Sequence, residues 1–175
     1  MLISGSLQEC ISAARTLGID KIGAHYDGKK IEDVIYRMCS PPSAPPAFPY
    51  LVTSDVLDSV QDADLVTISN FRKAKNMLKK KHKDRLGLEF VVAAARKMSG
   101  EGVARWLGDL KDAYSFCESS GGQFILSSGA RSPSEMISGR SFDAILNEIG
   151  VHHDRHWQDL DKWLSDVLSR KVLVK

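Results

Sequence analysis

The densest chemistry in this sequence is a run of cations. Between Phe71 and Arg85 stand eight basic residues and one acid, Asp84, a net +7. The whole chain carries only +2, so everything outside that run sums to −5. On a helical wheel Phe71, Ala74, Met77 and Leu78 form one narrow apolar stripe, and Arg72, Lys73, Lys75, Lys79, Lys80 and Lys83 spread over the opposite side. Like charges at i, i+4 destabilise an isolated helix, so this density has a cost unless an anionic partner offsets it. A polyphosphate backbone is such a partner, because each neutralised phosphate releases counterions largely irrespective of base sequence. The plain alternative is a solvated surface helix. The acidity of the remaining chain favours nucleic acid, although the run selects a polyanion and not a particular RNA.

Residues fit for catalysis are sparse. On a parallel α/β framework working groups sit where strands end and loops begin. The polar residues expected there are His25 and Asp27, Ser54 and Asp55, Ser69 and Asn70, Arg96 and Lys97, then Ser127 and Ser128. Glu89 lies inside its strand and is expected to point inward. A metal-dependent phosphoesterase needs several histidines and carboxylates converging on two or three ions, and only His25 and Asp27 form a local pair of that kind. His152 and His156 stand four apart, which on a helix would share a face, but no third ligand is evident and a polar helix start near Asp154 accounts for them. There is no GxSxG elbow, and no cysteine in a nucleophile context. Neither a catalytic residue nor a metal site is expected in the chain.

The elements that would position these groups are short. Apolar, β-rich runs are expected as strands at 2–4, 21–25, 50–53, 65–69, 86–92 and 124–127, most of them without strict alternation, as in strands buried on both faces. Helical stripes lie between. Leu7, Cys10, Ile11, Ala14 and Leu17 follow Ser6 as N-cap and stop at Gly18. Val103, Trp106, Leu107, Leu110, Ala113, Tyr114 and Cys117 form a second stripe that Ser99 or Gly100 can start and Gly121-Gly122 ends, and Trp157, Leu160, Trp163, Leu164, Val167 and Leu168 a third. At that spacing the tryptophans read as core and not as a base-stacking platform. A brief helical segment is expected at 31–38, followed by the stiff proline-rich connection 39–49.

Such alternation means a parallel sheet with helical crossovers. No GxGxxG or Walker loop supports a nucleotide-binding open sheet. A complete (β/α)₈ barrel typically uses about 250 residues, and this chain has 175. The expected fold is a trimmed TIM-like (β/α) barrel, mostly parallel, as a single domain over 1–175. With 43% hydrophobic and 26% charged residues the chain can bury a core. Cys10, Cys39 and Cys117 are too scattered for a disulfide framework or a cysteine zinc site. With no membrane-length apolar run and no signal-peptide pattern, a cytoplasmic setting is expected.

One segment is more specific. Residues 123–151 read QFILSSGARSPSEMISGRSFDAILNEIGV: a buried strand runs into Ser127-Ser128-Gly129-Ala130, Arg131-Ser132-Pro133 opens a turn, and Gly139-Arg140-Ser141-Phe142-Asp143 leads a helix. This resembles the C-terminal signature of the TIM-barrel protein subunit of archaeal and eukaryotic ribonuclease P, protein component three in archaea. Upstream, the ADLVTIS strand at 63–69, the LGLEF strand at 86–90 and a long helix containing Arg105 match the family's order. The resemblance covers Ala63 to Val151, is weak over the first sixty residues, and departs at Ser141-Phe142, where the family generally has proline.

What the resemblance implies is a PHP-like phosphoesterase barrel without its metal ligands, acting as a non-catalytic subunit. The RNA subunit, with magnesium, removes the 5′ leader of precursor tRNA; the barrel protein pairs with a small ferredoxin-like protein subunit, binds ribonuclease P RNA, and meets precursor tRNA only indirectly. The chain itself would hold no cofactor. The RNA contacts expected are Arg72, Lys73, Lys75, Lys79, Lys80, Lys81, Lys83, Arg96, Lys97, Ser127, Ser128, Arg131 and Arg140. For Ser127 and Ser128, hydrogen bonds within the loop compete evenly with phosphate contacts. For Arg131 and Arg140, ion pairs with Glu135 or Asp143 compete with RNA. The alternative functions are a metal-dependent phosphoesterase or nuclease of the PHP type, abolished by His25→Ala, and a structural adaptor whose lysines are irrelevant.

Overall fold

Six short strands lie side by side in the order in which they occur in the chain. The computed structural model describes residues 4–172 apart from 20–21, 27, 29, 33, 44–45, 58–59 and 82–83. Its strands are β1 (Ile22–His25), β2 (Val34–Met38), β3 (Tyr50–Ser54), β4 (Leu65–Thr67), β5 (Gly87–Val91) and β6 (Gln123–Ser127), and every neighbouring pair is parallel. An order without reversal sends all right-handed crossovers to one face, and the sheet curls into a half-barrel with helices around it.

The convex face takes most of the helices. Leu7 and Ile11 of α1 (Ser4–Thr16) pack on Ala24, Val34, Tyr36, Tyr50 and Val52. Over β4 to β6 lie α2 (Phe71–Lys80), the short α3 (Val92–Ala95), α4 (Gly100–Ser120) and α5 (Gly139–Glu148), which bury Phe71, Leu78, Leu110, Cys117, Phe142 and Leu146 against Val66, Leu88, Phe90, Phe124 and Leu126. The boundaries of these helices are chemical. Asn70 Oδ1 accepts the Lys73 amide at 3.0 Å and starts α2, cutting β4 shorter than the expected 65–69. Ser99 caps α4 through the Gly102 amide, and Gly121 ends it at φ 69°.

The last helix, α6 (His153–Val172), takes the other face. Trp163 and Val167 bury against Ile35, Leu51 and Ile125, in the layer nearest the N-terminal ends of the strands. The approach is close enough to require glycine in β5: a Cβ at Gly87 would lie 2.9 Å from both Leu65 Cδ1 and Trp163 Cζ2. Trp163 Nε1 donates to Arg85 O at 2.7 Å, and Lys171 Nζ binds Asp64 Oδ2 at 2.5 Å beside the Tyr50 ring. The helix plugs the bottom of the cup.

Three expectations change. Residues 34–38 are β2, not part of a helical segment, because Val34 and Tyr36 face α1 while Ile35 and Arg37 face the cup. A strand covered on both sides shows no period that distinguishes it from a short helix. The expected strand at 2–4 gives way at Ser4 to α1, which therefore begins before the Ser6 cap; Leu2 and Ile3 lie outside the described residues. Finally, α6 begins at His153, with Asp154 inside its first turn and not at its cap. Among the described residues no helix is long and apolar enough to cross a membrane.

Candidate functional site

Beyond the plugged layer, the concave face turns polar. Two positions beyond Gly23, Ile35, Leu51, Leu65, Gly87 and Ile125 stand His25, Arg37, Thr53, Thr67, Glu89 and Ser127, one from each strand. This is the strand end at which barrel enzymes hold their chemistry. Glu89 does point inward, as expected, and is only 2% exposed.

A bidentate ion pair occupies the centre of this layer. Arg37 Nη1 donates to Glu89 Oε1 at 2.6 Å and Nη2 to Oε2 at 2.7 Å, while Thr67 Oγ1 donates to Oε2 at 2.6 Å. Three strand spacings of about 4.8 Å separate β2 from β5, so the contact closes only because the face is concave. Burial pushes the Glu89 carboxyl up, but hydrogen bonds and charge from Arg37, with Thr67 and the nearby Ser127 hydroxyl, more than offset it and hold the group below its ordinary range. Ser127 Oγ nevertheless makes no well-formed hydrogen bond, and both it and Arg37 Nε are buried without a partner. Partial burial and then the Arg37 charge keep the His25 imidazole below its usual value, and so neutral at pH 7. The Asp27 expected beside it lies outside the described residues. Among those residues no three of His, Cys, Asp and Glu gather as metal ligands. A carboxylate whose two oxygens are both engaged, and whose charge is matched, is a structural tie across the cup and not a free base.

The His152–His156 pair does not share a face. His152 precedes α6 and is exposed, while His156 is 2% exposed between Phe124 and Trp157, with ring centroids at 5.8 and 5.0 Å. Burial pushes its imidazole down from 6.5 to about 4. The folded protein holds it neutral, whereas the unfolded chain takes up a proton below about 6.5, so stability is lost as pH falls from about 6.5 to about 4 and is unaffected above that window. At about 1.4 kcal/mol per pH unit this amounts to roughly 3 kcal/mol. Urea unfolding at pH 7 and pH 4 measures it; in His156→Leu this part of the acid sensitivity disappears, and an unchanged pH dependence would assign it elsewhere.

The residues expected to contact RNA fall into two separate groups. One lies on α2, outside the sheet. Arg72 is ion-paired with Asp109 of α4 at 2.9 Å, and Lys75 sits over the Phe71 ring at 5.9 Å. Lys73, Lys79 and Lys80 are exposed, Lys81 is half-buried, and Lys83 lies outside the described residues. Because α2 runs back from the end of β4 to the start of β5, Lys79 and Lys80 lie at the end of the sheet opposite the polar layer.

The other group surrounds the loop after β6, at the mouth. Arg96 Nη2 donates to Glu135 O at 2.6 Å, and Lys97 beside it is exposed. Ser128 O accepts the Ala93 amide and Ser128 Oγ the Ala130 amide, at 3.1 and 3.2 Å, so this serine holds its own loop. Arg131 and Arg140 are exposed, and neither ion-pairs with the acids expected for them. Glu135 Oε2 takes the Arg131 backbone amide at 2.6 Å, and Asp143 takes Trp157 Nε1 at 2.7 Å. Ser127 points away from this group, into the cup. The residue missed from sequence is Arg37, lost with its strand: Val34, Ile35 and Tyr36 are all apolar and all buried, so no alternation marks β2.

No family model matches the chain, and none of the curated proteins matches it.

Proposed function

We propose that this chain is a non-catalytic protein subunit of ribonuclease P, built on a trimmed TIM-like (β/α) barrel, which binds the RNA subunit and supports removal of the 5′ leader from precursor tRNA. Magnesium belongs in this reading to the catalytic RNA, and the protein partner is the small ferredoxin-like subunit. The observation that carries it is the bidentate lock of Glu89 by Arg37 where a barrel enzyme keeps a working acid, while exposed Lys73, Lys79 and Lys80 stand on the outer helix. RNA helices are gripped through phosphates and 2′-hydroxyls, for which such a lysine face suffices. The resemblance over 63–151, which spans β4 to α5, supplies the particular RNA.

The test is reconstitution. Added to the cognate RNA and partner subunits, the chain is expected to raise precursor-tRNA cleavage at low magnesium. Replacing Lys73, Lys79 and Lys80 together by Ala is expected to weaken RNA binding and lower the salt slope by about 2–3. An unchanged slope removes α2 from the interface. Divalent-dependent hydrolysis by the isolated chain, lost in His25→Ala, would instead establish the phosphoesterase.

A further inference from the structure

The lysine run looks self-contained in the sequence, but its far end is fastened to an element some eighty residues away. Arg85, the last residue of the run, lies at φ 64°, a left-handed conformation that a side-chain-bearing residue adopts only where its surroundings fix it. Three contacts do so: Arg85 N donates to Gly121 O at 3.2 Å, Arg85 O accepts Trp163 Nε1 at 2.7 Å, and Arg85 Nη1 meets Asp166 Oδ2 at 3.2 Å. The last two partners are on α6. One turn beyond Asp166 on the same face is Arg170, exposed and with no ion pair among the described residues. Its neighbour Lys171 is committed to Asp64 and so anchors the helix end.

We infer that the RNA-contacting face continues from Lys79 and Lys80 over Arg85 onto the last two turns of α6, with Arg170 as a phosphate contact and Asp166 as the acid that tempers the patch. This rests on the RNA-binding part of the reading above. Arg170 stands one helical turn, about 5.4 Å of rise, from the Asp166 that Arg85 meets, and charges within about a Debye length, roughly 8–10 Å at physiological salt, act on a phosphate backbone together. Basic residues in the last turn of a helix, Lys79 and Lys80 on α2 and Arg170 and Lys171 on α6, have an ordinary structural explanation in the helix dipole, but that explanation does not cover Arg85, which lies beyond α2 and joins the two groups. A face built from two elements is also broader than the single stripe of α2, so it can meet more of the phosphates and 2′-hydroxyls by which double-stranded RNA is recognised. The Arg85–Asp166 pair is itself about half exposed, with side chains at 51% and 45%, so it adds little to stability and either residue can be changed without loss of the fold.

The experiment is a titration of the full chain against a short hairpin RNA duplex over a range of salt, with circular dichroism to confirm folding. Arg170→Ala is expected to weaken binding several-fold and lower the salt slope by about one. Asp166→Asn is expected to tighten binding several-fold, a gain that misfolding cannot imitate. Arg105→Ala, on the outer helix α4 and near Glu101, should change neither. If both α6 variants bind as the parent does while the Lys73, Lys79 and Lys80 variant is weakened, the face ends at α2: the inference fails and the RNA reading stands. If the parent chain and its reconstituted particle bind no RNA at all, both fail. Stronger, Arg170-dependent binding to phosphatidylserine vesicles than to the duplex would overturn the inference in favour of a membrane surface.

Discussion

Glu89→Ala is expected to destabilise the fold by about 3–5 kcal/mol, because it leaves the Arg37 guanidinium facing a buried site with its counter-charge gone. Arg37 is 20% exposed at its side chain and Glu89 2%, so water screens the pair very little. The converse replacement is less severe. With Arg37→Met and Glu89→Leu made together, both charges leave the cup, and most of the lost stability is expected to return. The pair also has a pH signature. The Glu89 carboxyl is held below its ordinary value of 4.5 in the folded state, so its contribution is complete above that value and is lost as pH falls through the folded pKa. Urea unfolding of the two single variants and the double variant measures the coupling. A cost below about 1 kcal/mol for Glu89→Ala would mean that the curl of the sheet does not depend on this tie.

Gly129→Ala is the second large effect, expected at about 2–5 kcal/mol. Two separate penalties contribute. Gly129 sits at φ 63°, where an added Cβ costs about 1–2 kcal/mol, and that Cβ would come within 2.1 Å of Val91 Cγ1 and 3.3 Å of Ala93 Cβ, overpacking worth about 1–3 kcal/mol. The two are separable. In Val91→Ala the steric part is relieved, so adding Gly129→Ala should then cost only the backbone part. Thermal melts of the four proteins in that cycle give the answer, and an additive cycle would show that the loop does not dock on β5. The same loop carries Arg131 and receives Arg96 through Glu135 O, so a properly docked loop is also a condition for any contact made at the mouth.

Legibility from sequence followed locality. The stripe of α4 and its caps at Ser99 and Gly121 were readable because a helix covered on one side shows its period, and its ends show the residues that satisfy free amides and carbonyls. The stripe of α6 was readable for the same reason, though its face was not: nothing in Trp163 or Val167 says that they enter the cup while other helices cover the outside. The inward aim of Glu89 was legible, but its partner Arg37 was not. The two are 52 residues apart, and β2, covered on both faces, looks like a short helix when read alone. Of the two roles open for Arg131 and Arg140, ion pairing with Glu135 or Asp143 is not the one seen: Glu135 Oε2 takes the Arg131 backbone amide and Asp143 Oδ1 the Trp157 indole, contacts that no local pattern announces.

The +7 run and its amphipathic helix, the parallel α/β class and the resemblance carried by 123–151 are all legible in the residues read in order. These are properties of composition, period and contiguous motif, and each is present before any chain folding. Tertiary structure alone decided that the lysines end at one pole of the half-barrel and the polar layer at the other, since α2 must reverse direction between two parallel strands. It alone decided that the inward acid meets an arginine three strands away, and that Arg85 fastens the basic run to α6. Curvature is the physical reason: it brings residues from β2 and β5 within hydrogen-bonding reach, and no local pattern encodes the radius of a sheet.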